Sequence, residues 1–235
     1  MTTPTSAEHR FSRSSRGRLT ARDLGRFSGD TLFDRLARAV CRAGCLPRKE
    51  LYEAWEMARR VRRLFRGGRV VDLGAGHGLL AHAMLLLDDT SPDALVVDTS
   101  LAPSSAKLHD ALVGAWPRLA NRVTFRQGTL DEVEIRRGDL VVSSHACGAL
   151  TDRVLERAAA ARCRVGVLPC CHDRAASDDG DLLGWLDADL AIDAVRAIRL
   201  REQGYRIWTQ TIPGAITMKN RLLLGAPRSE HELPS

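Results

Sequence analysis

The stretch Val70-Val71-Asp72-Leu73-Gly74-Ala75-Gly76-His77-Gly78 decides the fold. Its first four residues, three of them apolar, predict a short buried strand, and residues 79–87, which follow the stretch, predict a helix. Glycines between a strand and a helix allow a tight turn and let the backbone approach a ligand closely, because no Cβ intervenes. The stretch therefore predicts a strand–loop–helix unit whose loop binds a small molecule.

Short apolar runs alternate with helical patterns from Arg69 onward, which is the signature of a mainly parallel sheet with helices on both faces. A helix that begins after Asp30 and another after Pro47 precede the sheet, and a long helix from about Asp181 to Arg201 precedes the last two strands. Those two strands are close enough in sequence to form an antiparallel hairpin. The predicted strands are Val70 to Leu73, Ala94 to Asp98, Arg122 to Gln127, Leu140 to Ser144, Arg164 to Leu168, Tyr205 to Ile212 and Asn220 to Leu224.

The glycines of the loop follow the pattern Asp72-x-Gly74-x-Gly76-x-Gly78. A dinucleotide fingerprint, G-x-G-x-x-G, would need glycine at position 79, which is leucine. The observed pattern resembles the first motif of class I S-adenosylmethionine-dependent methyltransferases. The resemblance implies an α/β fold with a Rossmann-like, doubly wound seven-stranded sheet of order 3-2-1-4-5-7-6, whose last strand is antiparallel. It also implies that the glycines pass beneath the methionyl part of the cofactor and that Asp72 helps to hold its amino group.

A second acid, Asp98, ends the next strand 24 residues after Gly74. A carboxylate there can accept hydrogen bonds from both ribose hydroxyls of the cofactor. Many family members carry Gly-Asp after the third strand, whereas this chain has Gly128-Thr129, so Thr129 or backbone atoms would have to replace that contact to the adenine. The predicted cofactor-binding residues are Asp72, Gly74, Ala75, Gly76, Gly78, Asp98, Thr99, Gly128, Thr129 and Ser144.

Histidines and cysteines follow strands four and five, in Ser144-His145-Ala146-Cys147-Gly148 and Pro169-Cys170-Cys171-His172. Because the carboxyl ends of neighbouring parallel strands meet at one edge, we expect these side chains to converge near the transferred methyl group. Residues 144–152 and 168–172 resemble the paired signatures of the eukaryotic tRNA ribose 2′-O-methyltransferases that modify the acceptor stem, and of related methyltransferase-like proteins. The resemblance departs at the N-terminus, where those tRNA enzymes carry zinc-binding cysteine and histidine clusters and this chain has none before Cys41.

For a hydroxyl acceptor, His145 is our candidate general base, because an imidazole with a reference pKa of about 6.5 can accept a proton near neutral pH. His172 is the second candidate and Asp152 an orienting partner; a structural role is the alternative for both histidines. Cys147 and Cys170 complete the predicted catalytic set, either as a thiolate nucleophile for carbon methylation or as buried small thiols. A zinc site is a further alternative, but the cluster lacks a C-x-x-C pair and adjacent cysteines chelate awkwardly, so our prediction contains no metal.

Positive charge is concentrated at the start of the chain: residues 1–70 carry 17 lysines and arginines against 7 acidic residues, although the whole chain has a net charge of only +6. The basic cluster Arg59 to Arg69 could bind the phosphates of an RNA, or its arginines could simply cover a solvated helix face. No run approaches the roughly 18 apolar residues of a membrane span, and no secretory signal is evident. We therefore predict a cytoplasmic protein without membrane contact and with reduced cysteines.

Together these features predict an S-adenosylmethionine-dependent methyltransferase, with a tRNA ribose hydroxyl as candidate acceptor. A small-molecule or protein acceptor and a catalytically inactive cofactor-binding module remain as alternatives. We divide the chain into a flexible basic N-terminus (1–29), N-terminal helices (30–66), a class I methyltransferase domain (67–228) and a tail (229–235).

Overall fold

A computed structural model describes residues 11–228 of the chain. The first ten residues of the predicted basic N-terminus and the whole predicted tail, 229–235, lie outside the described residues. The described part of the predicted N-terminus packs onto the fold: Leu19 is fully buried, its amide donates to the carbonyl of Leu46 (2.9 Å), and Phe27 is also buried. The composition of this segment did not predict that packing.

Seven strands form one sheet. They are β1 (Val70–Leu73), β2 (Ala94–Asp98), β3 (Val123–Gln127), β4 (Leu140–Ser143), β5 (Arg164–Val167), β6 (Tyr205–Thr211) and β7 (Arg221–Pro227). Their order across the sheet is β3-β2-β1-β4-β5-β7-β6. All pairs from β3 to β5 are parallel, and β7 runs antiparallel between β5 and β6. The predicted doubly wound sheet and its strand order are confirmed.

Six α-helices accompany the sheet: α1 (Leu32–Ala43), α2 (Arg48–Leu64), α3 (Leu79–Leu87), α4 (Ser105–Ala115), α5 (Leu150–Ala160) and α6 (Ala188–Glu202). α1 begins after Thr31, whose hydroxyl accepts from the amide of Asp34, one residue later than the predicted start. The prediction of a helix from Asp181 was wrong, because Asp181 has a φ of +57° and α6 begins only after Asp187, whose carboxylate accepts from the amide of Leu190. No helix among residues 11–228 has the length and apolarity needed to cross a membrane.

The helices cover the two faces of the sheet separately. Alternate strand residues point to opposite faces, so Val70 belongs to the apolar core that contains residues of α1 to α4, while Val71 belongs to the core that contains residues of α5 and α6. The helices that follow β1 and β2 therefore lie on one face, and the helices that follow β4 and β5 lie on the other. This reversal leaves a crevice at the carboxyl ends of β1 and β4, which is where open α/β sheets bind ligands.

Candidate functional site

The loop after β1 is shaped by three glycines in the left-handed region, Gly74, Gly76 and Gly78, with φ values of +64°, +55° and +76°. A Cβ added at Gly78 would lie 3.0 Å from the side chain of Val96 and 3.2 Å from that of Phe125, so only glycine lets the loop lie this close to the sheet. The amide of Gly74 donates to the carbonyl of Val97 (2.9 Å), which ties the loop to the end of β2.

Asp98 at the end of β2 holds the same loop through its side chain. One carboxylate oxygen accepts from the amide of Gly76 (2.9 Å), and the other accepts from the amide of Ser100 (3.0 Å). A carboxylate offers about four acceptor positions, so one on each oxygen remains available to a ligand. Asp98 is only half-buried, and its free positions can therefore reach a ligand in the crevice.

A cleft of about 330 Å³ opens beside this loop at the carboxyl ends of the strands. Seven of the predicted site residues line it: Gly74, Asp98, Thr99, Gly128, Thr129, His145 and Cys147. Sequence reasoning missed four lining residues, Val97, Leu130, Leu150 and Arg153. The signal that could have found two of them is positional, because Leu130 and Leu150 are the first apolar residues after the third and fourth strand-end loops. Arg153 reaches the cleft from α5 and forms an ion pair with Asp131.

Asp72 lies beneath the loop rather than in the cleft, and it is fully buried. One of its oxygens accepts from the amide of Ala81 (3.2 Å), and the other has no partner among the described residues. Burial, with a smaller contribution from the charge of Asp98, raises the pKa of Asp72 to about 7. A cationic donor near the unpartnered oxygen would stabilise the carboxylate form.

His145 lies between two spaces, the cleft and a small cavity next to the first turns of α2. Ala75 and Ser144, both predicted cofactor residues, line that small cavity together with Glu50. Burial lowers the pKa of His145, and the charge of Lys49 adds to the effect, so the imidazole is neutral near pH 7.

The backbone that carries His145 is fixed by a residue that sequence reasoning did not select. The hydroxyl of Ser143 donates to the carbonyl of Leu73 (2.5 Å) and accepts from the amide of Ala146 (3.2 Å). This pair of bonds connects the ends of β1 and β4. It therefore fixes the loop that bears His145 relative to the glycine loop.

Three thiols converge at the carboxyl ends of β4 and β5. The Sγ atoms of Cys147, Cys170 and Cys171 all lie within 4.8 Å of one another, and those of Cys147 and Cys170 are 3.0 Å apart. Burial raises the pKa values of Cys147 and Cys170, so without a bound cation both are thiols rather than thiolates at neutral pH.

The other two predicted catalytic residues are paired elsewhere. The Nε2 atom of His172 hydrogen-bonds to Asp193 of α6 (2.8 Å), its side chain is 1% exposed, and it does not line the cleft. Asp152 accepts two bonds of 2.7 Å from the guanidinium of Arg196. It is therefore paired with α6 and does not have its predicted role as an orienting partner of a catalytic histidine. Asp193 and Arg196 also line a larger cavity of about 510 Å³ between α6 and the β6–β7 hairpin, which none of the predicted site residues lines.

The basic cluster Arg59 to Arg69 lies at the amino ends of the parallel strands, because it spans the end of α2 and leads into the start of β1. Two of its arginines form ion pairs within the fold: Arg62 is buried and lies 2.9 Å from Asp88, and Arg69 pairs with Asp139 (2.6 Å). The cleft lies at the opposite end of β1. The cluster therefore does not border the cleft.

A family model described as a methyltransferase domain matches residues 49–178. No curated protein sequence matches the chain. Among solved structures, the chain is similar to an O-methyltransferase family protein from Burkholderia thailandensis, with 19% identity over 90% of this chain and 64% of that one and a TM-score of 0.50. This likeness concerns the fold alone, and the chain spans less than two thirds of that protein's length.

Two further solved structures are similar at lower scores. The ribosomal protein L11 methylase from Lactobacillus delbrueckii subsp. bulgaricus shares 15% identity, over 75% of this chain and 77% of its own, with a TM-score of 0.48. The precorrin-6y C5,15-methyltransferase from Geobacter metallireducens GS-15 shares 11% identity, over 74% of this chain and 87% of its own, with a TM-score of 0.47.

Proposed function

The chain belongs to the methyltransferase domain family, and we propose that it uses S-adenosylmethionine to methylate a hydroxyl group of an RNA. The observation that carries this proposal is that Asp98 and His145 line one cleft at the end of the glycine loop. A group suited to hold a ribose and a group suited to accept a proton therefore border the same space.

The residues around the cleft fit the cofactor. Asp98 has one free acceptor position on each oxygen for the two ribose hydroxyls, and the buried, unpartnered oxygen of Asp72 suits the amino group of the methionyl part. Leu130 offers an apolar surface to an adenine ring in the same cleft. When bound, S-adenosylmethionine supplies a methyl group on a positively charged sulfur, which an acceptor oxygen can attack in line.

His145 would accept the proton of the acceptor hydroxyl. Its lowered pKa keeps the imidazole neutral at physiological pH, and a neutral imidazole has a free nitrogen lone pair for that proton. The bonds of Ser143 hold its loop in place, so little reorganisation is needed when the acceptor binds.

RNA is the proposed acceptor because of the narrow resemblance in residues 144–152 and 168–172 and because an exposed cation, Arg18, lies near the glycine loop. Arg18 and Lys107 are exposed, and both lie close enough to Cys45 to oppose the rise of its pKa that burial causes. Burial lowers the pKa of His77 in the glycine loop, and the charge of Arg18 adds to it. Phosphates are the expected partners of exposed cations such as Arg18 and Lys107.

The experiment that tests the function uses S-adenosylmethionine labelled in the methyl group, incubated with the full chain and with separate RNA, protein and metabolite fractions of a cell extract. Label is expected in the RNA fraction, and it should survive alkaline hydrolysis as a dinucleotide if a ribose 2′-hydroxyl is the acceptor. Label confined to the protein or metabolite fraction would remove RNA as the substrate. Tight cofactor binding without methyl transfer to any fraction would instead indicate a catalytically inactive cofactor-binding module.

Replacing Asp98 with alanine is expected to weaken binding of S-adenosylhomocysteine about 10- to 100-fold, as measured by calorimetry. The change removes the acceptor for the ribose hydroxyls and also releases the amide of Gly76, a loss of about 1–3 kcal/mol. Asp110→Ala is the matched control, since Asp110 is exposed on α4. Equal affinities for the Asp98→Ala variant and the parent chain would show that the cofactor does not use this carboxylate.

Charge removal should also locate the RNA surface. The double variant Arg18→Ala/Lys107→Ala is expected to reduce the slope of log affinity against log salt concentration by about 1.4, because each lost phosphate contact on a single strand contributes about 0.7. The double variant Arg63→Ala/Arg66→Ala removes the same charge from exposed positions at the opposite end of the sheet and should leave the slope unchanged. A larger change of the slope in the second variant would indicate that the Arg59 to Arg69 cluster is the RNA-binding surface.

A further inference from the structure

We propose that Cys147, Cys170 and Cys171 form a Zn²⁺ site at the carboxyl ends of β4 and β5. The proposal does not depend on methyl transfer, since it rests on the three thiols and the two loops that carry them. It also departs from our prediction from sequence, which contained no metal.

The separations of the three sulfur atoms suit one tetrahedral metal ion. Zinc binds thiolates at about 2.3 Å, so two sulfurs on one tetrahedral ion lie about 3.8 Å apart. The Sγ atoms of Cys147 and Cys170 are 3.0 Å apart, and no pair among the three exceeds 4.8 Å. Movements of about 1 Å would therefore bring all three sulfur atoms onto a common ion.

Packing does not account for these cysteines as it does for the other three. Cys41, Cys45 and Cys163 are buried in the apolar cores, which is the usual fate of an unreactive thiol. Cys147 and Cys171 are exposed, and Cys170 is only partly buried. Three thiols at a solvent-accessible strand end thus require an explanation other than core packing.

The two loops are held together independently of the thiols. The amide of Gly148 donates to the carbonyl of Cys171 (3.1 Å), and the amide of Leu168 donates to the carbonyl of Ser143 (2.9 Å). Gly148 has a φ of +59°, and a Cβ there would lie 3.1 Å from the Cβ of Asp173, so glycine permits this close approach. Because these hydrogen bonds already fix the two loops, less conformational entropy is lost when the metal binds.

The adjacency of Cys170 and Cys171 is not an obstacle in this structure. Side chains of neighbouring residues point to opposite faces only while the chain remains a regular strand, and β5 ends at Val167. In the irregular segment that follows, the Sγ atoms of both residues lie within 4.8 Å of each other and of Cys147.

The ligand type selects the metal. Thiolates favour Zn²⁺ over the oxygen-seeking Mg²⁺ and Ca²⁺, and three protein ligands leave a fourth position for water or another ligand. Because Cys147 also lines the cleft, the ion would lie at the cleft wall. Zinc binding would join the loops after β4 and β5 at the wall of the cleft, which His145 also lines.

The test measures the metal content of the full chain, purified without an affinity tag and under reducing conditions, by mass spectrometry. About one zinc ion per chain is expected, and cobalt substitution should give a near-ultraviolet thiolate-to-metal charge-transfer band. Each of Cys147→Ser, Cys170→Ser and Cys171→Ser should lose the band and most of the zinc, whereas Cys45→Ala should keep both. Circular dichroism checks that each variant is folded.

Two results would overturn the proposal. One is a reduced, folded chain that binds neither zinc nor cobalt. A chain that is isolated with a Cys147–Cys170 disulfide and still binds no metal after reduction counts as this result. The other is zinc content that the three serine variants leave unchanged, which would mean that the ion binds elsewhere. Neither result bears on methyl transfer, so this proposal and the proposed function can fail separately.

Discussion

Replacement of His145 by alanine is expected to lower turnover by about 10²- to 10⁴-fold, the usual contribution of a general base. The affinity for S-adenosylhomocysteine should stay close to that of the parent chain, because the groups suited to hold the cofactor are Asp98, Asp72 and the glycine loop. The measurement is single-turnover transfer of labelled methyl to the acceptor identified in the fractionation experiment.

The pH dependence gives a second readout of the same role. A base must be deprotonated, so the rate should fall as the pH drops through the pKa of His145 and should be constant above it. Since burial and the charge of Lys49 lower that pKa, the fall should occur below the ordinary value of about 6.5. In the His145→Ala variant this acidic limb should disappear, and added imidazole should restore part of the activity.

A histidine outside the site supplies the control. His109 lies on α4 and hydrogen-bonds to His82 (3.1 Å), so His109→Gln should leave turnover and its pH profile unchanged. Full activity of His145→Ala, with the acidic limb retained, would exclude His145 as the base. A loss of cofactor affinity equal to the loss of turnover would instead indicate that the side chain shapes the cleft.

The sheet was predictable from the sequence because its central strands are buried on both faces. β1 and β2 have the predicted ends, since each is a short, mainly apolar segment that stops at a glycine loop or at an acid. The start of α6 was not predictable in the same way. Apolar periodicity does not reveal that Asp181 has a positive φ or that the carboxylate of Asp187 caps the helix.

The cleft was predictable where its residues belong to a strand-end loop, because the topology brings those loops to one edge. Pairing between side chains from distant elements was not. Asp152 pairs with Arg196, which is 44 residues away, and His172 hydrogen-bonds to Asp193. Both partners lie on α6. Sequence position placed Asp152 and His172 at the expected edge but could not show which neighbours would bind them.

Substitution of Asp88 by asparagine is expected to lower the free energy of unfolding by about 3–5 kcal/mol, the cost of leaving a buried charge without its partner. The affected charge is that of Arg62, which is 1% exposed and lies 2.9 Å from Asp88. Arg62 also donates to the carbonyl of Met84 (3.1 Å) and to the hydroxyl of Ser91 (2.8 Å), so it cannot turn toward water without breaking those bonds. Urea unfolding at pH 7 measures the effect.

The neighbouring residue provides the comparison for Asp88. Asp89 pairs with Arg118 at the surface and its side chain is 78% exposed, so Asp89→Asn should cost less than about 1 kcal/mol. Similar losses in the two variants would show that the pair of Arg62 and Asp88 contributes no more than a surface ion pair.

Acid should narrow the difference in unfolding free energy between the parent chain and Asp88→Asn. Although burial raises the pKa of Asp88, hydrogen bonds from Thr90 and Gly67 and the charge of Arg62 outweigh it and lower the pKa from 3.8 to about 2. A carboxyl whose pKa is lower in the folded chain stabilises the fold above its unfolded value, and it loses that contribution as the pH falls through its folded value. The two unfolding free energies should therefore approach each other as the pH falls from about 4 to about 2. A constant difference in unfolding free energy across that range would mean that the charge of the Asp88 carboxylate does not stabilise the fold.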